Sequence, residues 1–213
     1  IYTTMFSKHE GLIKLLETYG FYCIGQKDSK NGSENVFYKH MLIDPIDHYN
    51  PLYNYPFIKI TNTNKHLLSI YPKYHTNRTP NSWLHTKKHF EHEDVSWTNS
   101  IHKVYICGMD AVTNFRPGDI LVIYRTTSRA NAEYNSVATS IATVEEVKNI
   151  YSFKDVKEYI EYVGRYSIFS RDELISIWKT KKYPYIIKFL YNAALPKRII
   201  RKSLIEDIGL DRG

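Results

Sequence analysis

Polar and apolar positions in this 213-residue chain follow two periods, near two in short runs and near 3.6 in longer ones. Ile1 to Met5 predicts a strand. Ser7, with Glu10 three residues on, predicts a capping box that opens a helix striped by Leu12, Ile13, Leu15 and Leu16. Gly20 ends that helix. Phe21 to Gly25 and Asn35 to Met41 predict two strands, and Asn31-Gly32 between them is a hairpin signal. The result is a β-α-β-β unit over residues 1–42. Residues 43–55 hold no period and carry two prolines, as a linker does.

Residues 56–213 read as a second unit. Pro56 to Thr61, Asn99 to Gly108, Ile120 to Tyr124, Ser136 to Val147 and Tyr185 to Tyr191 predict five strands. Arg116-Pro117-Gly118-Asp119 is a tight turn, with proline pre-setting φ at its second position and glycine free at its third. Thr126 to Asn135 is a polar loop. Ser152 is a predicted cap for a helix striped by Val156, Tyr159, Ile160 and Val163, which Gly164 stops. Ser170 and Glu173 predict a capping box for the next helix, with Lys179 to Lys182 at its C-terminal end, where the helix dipole favours cations. Asn192 to Pro196 predicts a turn into the basic run KRIIRK, and Ser203 caps a last short helical turn.

Aromatic residues make up 15% of the chain, with 19 tyrosines, so rings must line surfaces as well as fill a core. The net charge of +7 suits a polyanionic partner and equally an ordinary basic domain. Cys23 and Cys107 lack the spacing of a metal or redox motif and suggest a reducing compartment, so a cytoplasmic protein is expected. No apolar run approaches the ~18 residues of a membrane-spanning helix. A chain that opens on Ile1 reads as a fragment or a processed piece.

The densest chemistry lies in residues 69–97, where Lys73, His75, Arg78, Lys87 and Lys88 alternate with Tyr71, Tyr74 and Trp83. Cations that meet phosphates and rings that stack on bases suit a polynucleotide, while a solvated basic loop gives the same pattern. His85, His89 and His92 share a helical face but lack the glutamate of an H-E-x-x-H motif, so no metal is expected there.

The "PGD" turn feeding an apolar strand, followed by a second strand of the A-x-A-x-V kind, resembles the PUA-like superfamily, in particular its ASCH and EVE branches. That resemblance implies an α+β fold: a five-stranded β-barrel with flanking helices over residues 56–213. It also implies binding of RNA or a modified base in a cleft between the loops beside the PGD strand. Tyr124, Arg125, Thr126, Ser128, Arg129 and Tyr134 would face Tyr74, His75, Arg78 and Trp83 there, with Asn99 and Ser100 reading a base edge. Each has a plain structural alternative: Tyr124 as core, Arg125 and Arg129 as ordinary loop charge, Trp83 as a cover for the barrel end. Some ASCH proteins deacetylate acetylcytidine with a Lys, a Thr and a Glu. Lys59, Thr61 and Glu145 or Glu133 would be the set here.

The order strand, helix, Gly20-Phe21, strand, Asn-Gly turn, strand resembles the C-terminal end of a GNAT acetyltransferase domain. It implies an intact protein that uses acetyl-CoA to acetylate a nucleic-acid or ribosomal substrate, with no cofactor held by this fragment alone. Leu16 stands where the helix tyrosine of that family is expected, and Tyr19 reads as a packed aromatic.

Overall fold

The computed structural model describes residues 1–41, 49–72, 74, 100–127 and 131–211. Strand β1 (Tyr2–Met5), helix α1 (Glu10–Thr18), and strands β2 (Tyr22–Ser29) and β3 (Gly32–Tyr38) form a small antiparallel sheet in the order β1-β3-β2. The β-α-β-β order is as expected. The first capping box does not form: His9 is the N-cap of α1, and Ser7 instead accepts a hydrogen bond from the Asn35 amide at 3.2 Å. Gly20 follows α1 at φ 76°, and a side chain there would meet the Tyr53 carbonyl at 2.6 Å.

Helix α2 (Pro51–Asn54) lies against this unit and is held by a buried lysine. Lys39 is 6% exposed, and its ammonium donates to the carbonyls of Tyr19 (2.5 Å), Tyr53 (2.9 Å) and Tyr55 (2.5 Å). Three N–H donors meet three carbonyls, so the buried charge is satisfied without a carboxylate. Burial nevertheless pulls the Lys39 pKa below the ordinary lysine value.

The main sheet holds β4 (Lys65–Ile70), β5 (His102–Cys107), β6 (Ile120–Arg125), β7 (Val137–Asn149) and β8 (Tyr185–Ile200), in the order β4-β6-β7-β8-β5. β4 runs parallel to β6, and the other neighbours are antiparallel. Three register shifts along β7, at 138/140, 141/142 and 144/146, bend the sheet. The sheet therefore curls around a core of Leu68, Leu121, Ile123, Val144, Ile187 and Phe189.

Two strand expectations need correction. Pro56 to Thr61 is not a strand: Ile60 is exposed, and the Thr63 hydroxyl closes a turn on the Lys59 carbonyl at 2.7 Å. The first strand of the sheet is β4, whose inward residues are Leu68 and Ile70. Asn192 to Pro196 does not end β8 either. Ala194 pairs with Ser140 and Ile199 with Ala138, so residues 195–198 form a wide bulge that absorbs Pro196, which has no N–H to give the ladder.

Nor does a backbone ladder close the barrel. Among the described residues β4 and β5 are the two edges of a curled open sheet. A side chain bridges the gap: the Tyr105 hydroxyl on β5 donates to the Ser69 carbonyl on β4 at 3.1 Å.

The PGD turn forms with Gly118 at φ 88° and the Asp119 N–H bonded to the Arg116 carbonyl at 3.0 Å. Buried Asp119 accepts from the Arg116 N–H (2.8 Å), the Asn64 amide (3.2 Å) and the His66 ring (3.1 Å), and His66 stacks on Phe115 at 4.0 Å.

Helices α4 (Val156–Val163) and α5 (Arg171–Thr180) cover the outer face of β5 and β8, where Tyr159, Val163 and Leu174 pack on Val104, Ile106 and Ile186. Asp155, not Ser152, caps α4, while Ser170 and Glu173 form the expected capping box on α5. Helices α3 (Ala132–Asn135) and α6 (Arg201–Glu206) sit together at the sheet's other end, where Leu204 packs on Tyr124 and Ala138. Among the described residues no helix is long and apolar enough to cross a membrane.

Candidate functional site: an aromatic cavity at the open seam

The gap between β4 and β5 opens into a cavity of about 540 Å³, a size typical of small-ligand sites. Ser69 and Tyr71 continue from β4 on one wall, and Tyr105, Ile106 and Cys107 of β5 form the opposite one. Tyr74 and Thr126 come from the segments after β4 and β6. Phe169, Glu173, Ser176 and Ile177, from α5 and the approach to it, and Tyr183 complete the lining. Tyr74 and Phe169 are in ring contact at 5.7 Å. The Thr126 N–H and hydroxyl both bond to the Ile70 carbonyl, at 3.0 and 3.3 Å, which fixes that residue at the rim.

The side chains expected at a cleft are distributed unevenly. Tyr74 and Thr126 line the cavity. Arg125 is half-buried at the end of β6, opposite Ile70. Ser100 caps β5 by accepting from the His102 N–H at 3.1 Å. Tyr134 lies on α3 with its hydroxyl accepting from the Lys202 ammonium at 2.9 Å, away from the cavity lining. Tyr124 is a correction: at 2% exposure, packed against Ala138 and Leu204, it is core. The register shift between Ile123 and Tyr124 explains it, because a bulge breaks the strict alternation and buries both residues. His75, Arg78, Trp83, Asn99, Ser128 and Arg129 lie outside the described residues.

Tyr105, Phe169 and Tyr183 escape sequence reasoning. They sit in separate elements and meet only because the sheet curls and α5 folds over it. The one usable signal is Tyr105, on the face of its strand opposite the apolar pair Val104 and Ile106.

A second polar cluster joins the small sheet to the large one. His102 Nδ1 donates to Glu145 Oε2 at 2.8 Å, and Lys188 Nζ donates to Glu145 Oε1 at 2.7 Å. His102 Nε2 is in turn hydrogen-bonded to the Tyr19 hydroxyl at 3.0 Å. Glu145 occupies the β7 register shift at 144/146, which turns it toward Lys188. Burial alone would raise the Glu145 carboxyl, but hydrogen bonds from His102 and Lys188, with the Lys188 charge, hold it below the ordinary value. Burial, aided by the Glu145 charge, pushes the Tyr19 hydroxyl up to about 12. Both Glu145 oxygens are thus engaged by His102 and Lys188, and among the described residues no hydrogen bond joins Glu145 to Lys59 or Thr61. Tyr19 is a tie between the two sheets as well as a packed ring; its edge meets Tyr55 at 6.2 Å.

The fold and cavity define an α+β protein built on a curled mixed sheet, with a ring-lined pocket at its open seam. No protein-family profile matches the chain, and no curated protein matches it. Among solved structures it is similar to a mutant of the ASCH protein ZmASCH from Zymomonas mobilis. The two share 12% identity over 68% of this chain and 80% of that one, with a TM-score of 0.41.

Proposed function

We propose that this chain is a nucleic-acid-binding module of the PUA-like, ASCH-type kind that holds one base in the seam cavity. The observation that carries the reading is the cavity itself, where Tyr71, Tyr74, Tyr105, Phe169 and Tyr183 surround a space of about 540 Å³. Every base has a π-face, so such a lining accepts an unstacked base. The net charge of +7 supplies long-range attraction for the phosphates. Because single strands offer splayed bases, RNA or a modified base is the favoured ligand. Acetyl transfer by an intact protein carrying this chain rests on the β-α-β-β order of residues 2–38 and is the alternative activity.

The test is a fluorescence-anisotropy titration of labelled single-stranded RNA and DNA at about 50 and 200 mM salt. Binding should weaken steeply with salt. Tyr74→Ala and Phe169→Ala should each weaken it by about 5- to 150-fold, the range expected for loss of one stacking ring. Trp83→Ala and Arg129→Ala extend the same titration to the segments that adjoin the cavity in sequence. Absence of binding, or Tyr74 and Phe169 variants that titrate like the parent, would overturn the reading.

A further inference from the structure

Resting on that reading, we infer that the cavity selects a positively charged base, namely a nucleobase made cationic by ring N-alkylation. Among the described lining residues there are four tyrosines and one phenylalanine, and no lysine, arginine or histidine. The one charged side chain in that set is Glu173. Its Oε2 accepts from the Ser170 N–H at 2.7 Å, which fixes the carboxylate in the capping box of α5. Oε1 takes no hydrogen bond among the described residues.

The electrostatics follow directly. A neutral base gains stacking from the rings and at most a hydrogen bond from a ring N–H or amino group to the carboxylate. A cationic base gains attraction from each ring face it meets and from Glu173 as well. Among the described lining residues a phosphate meets a carboxylate and no cation, so the space favours the base over the phosphate. Methylated lysine also suits aromatic cages. A lysine-rich peptide, however, is repelled by a chain of net charge +7, whereas a polyanion carrying the base is attracted.

The experiment is calorimetric titration of the full chain with N7-methylguanosine, guanosine and trimethyllysine at mildly acidic pH, where the alkylated ring keeps its charge. N7-methylguanosine should bind about tenfold tighter than guanosine, as a cation–π gain of about 1.4 kcal/mol implies. Glu173→Gln should shrink that ratio by several-fold. Glutamine also completes a capping box, so thermal unfolding should not move. Equal binding of the two nucleosides overturns the charge selection and leaves the base reading standing. Binding of neither overturns both. Trimethyllysine bound more tightly than either nucleoside overturns the assignment to a base.

Discussion

Tyr105 donates its hydroxyl proton to the Ser69 carbonyl at 3.1 Å, across the gap that the backbone ladders leave open. The two residues belong to the sheet's opposite edges, and both line the cavity. Tyr105→Phe keeps the ring and removes the bridge. Because the bond is exposed, the loss in global stability should be about 0.5–1 kcal/mol. Hydrogen exchange is the sharper readout: amides of β4 should exchange faster while those of β7 do not change. Unchanged β4 exchange would show that the bridge does not hold the edge.

Tyr19 and His102 make the corresponding tie between the small sheet and the large one. Tyr19→Phe leaves His102 Nε2 without its hydrogen-bond partner and should cost about 1–2 kcal/mol in chemical denaturation. The folded Tyr19 pKa, about 12, lies above the ordinary value of about 10. Its contribution is therefore complete below about pH 10 and is lost as pH rises toward 12, and Tyr19→Phe should shrink that alkaline decline.

Glu145 behaves in the opposite sense. Its folded pKa lies below the ordinary carboxylate value, so its contribution is present above about pH 4.3 and is lost as pH falls through the folded value. Glu145→Gln should flatten the acid limb of the stability–pH curve, with a cost at neutral pH because Lys188 loses a charged acceptor. An acid limb identical to that of the parent would remove Glu145 from this role.

Lys39 holds three carbonyls that have no other described side-chain donor. Lys39→Met keeps the aliphatic stem and strands those acceptors, at a cost of about 3 kcal/mol in urea denaturation. Equal stability of the two proteins would mean that water replaces the ammonium at no cost.

Tyr159 makes the contrary case. It is fully buried, its hydroxyl has no partner among the described residues, and burial drives its pKa far above the ordinary value. Tyr159→Phe removes an unsatisfied polar group while keeping the ring against Phe153 and Trp178, and should stabilise the fold by about 1 kcal/mol. A loss of stability in thermal unfolding would reveal a hydroxyl partner.

Local signals made much of the fold legible. The β2–β3 hairpin, the PGD turn and the capping box on α5 depend on neighbours close in sequence, and sequence spacing carries that information. The errors arose where tertiary pairing overrides local pattern. FIKI at 57–60 has the apolar content of a strand, yet the sheet takes KHLLSI at 65–70, because pairing with β6 leaves Leu68 and Ile70 inward. Pro196 resembles a strand terminator until a bulge accommodates it. At the site, Tyr74 and Thr126 stood out as ring and polar groups next to strand ends. Phe169 and Tyr183 did not, since each reads as ordinary packing until the sheet curls.

Strands joined by a hairpin inherit their alignment from the turn between them. β4 and β6 are parallel and have no such turn, and the Asp119 carboxylate acts as the detent in its place. It grips Asn64 and His66, the residues on either side of Lys65, while Lys65 pairs with Ile120 just beyond the aspartate. A slip of one position would turn Leu68 and Ile70 to the outside and carry Ser69 off the pocket wall. The gauge of the cavity's mouth is thus set by one acidic side chain at the opposite end of the strand.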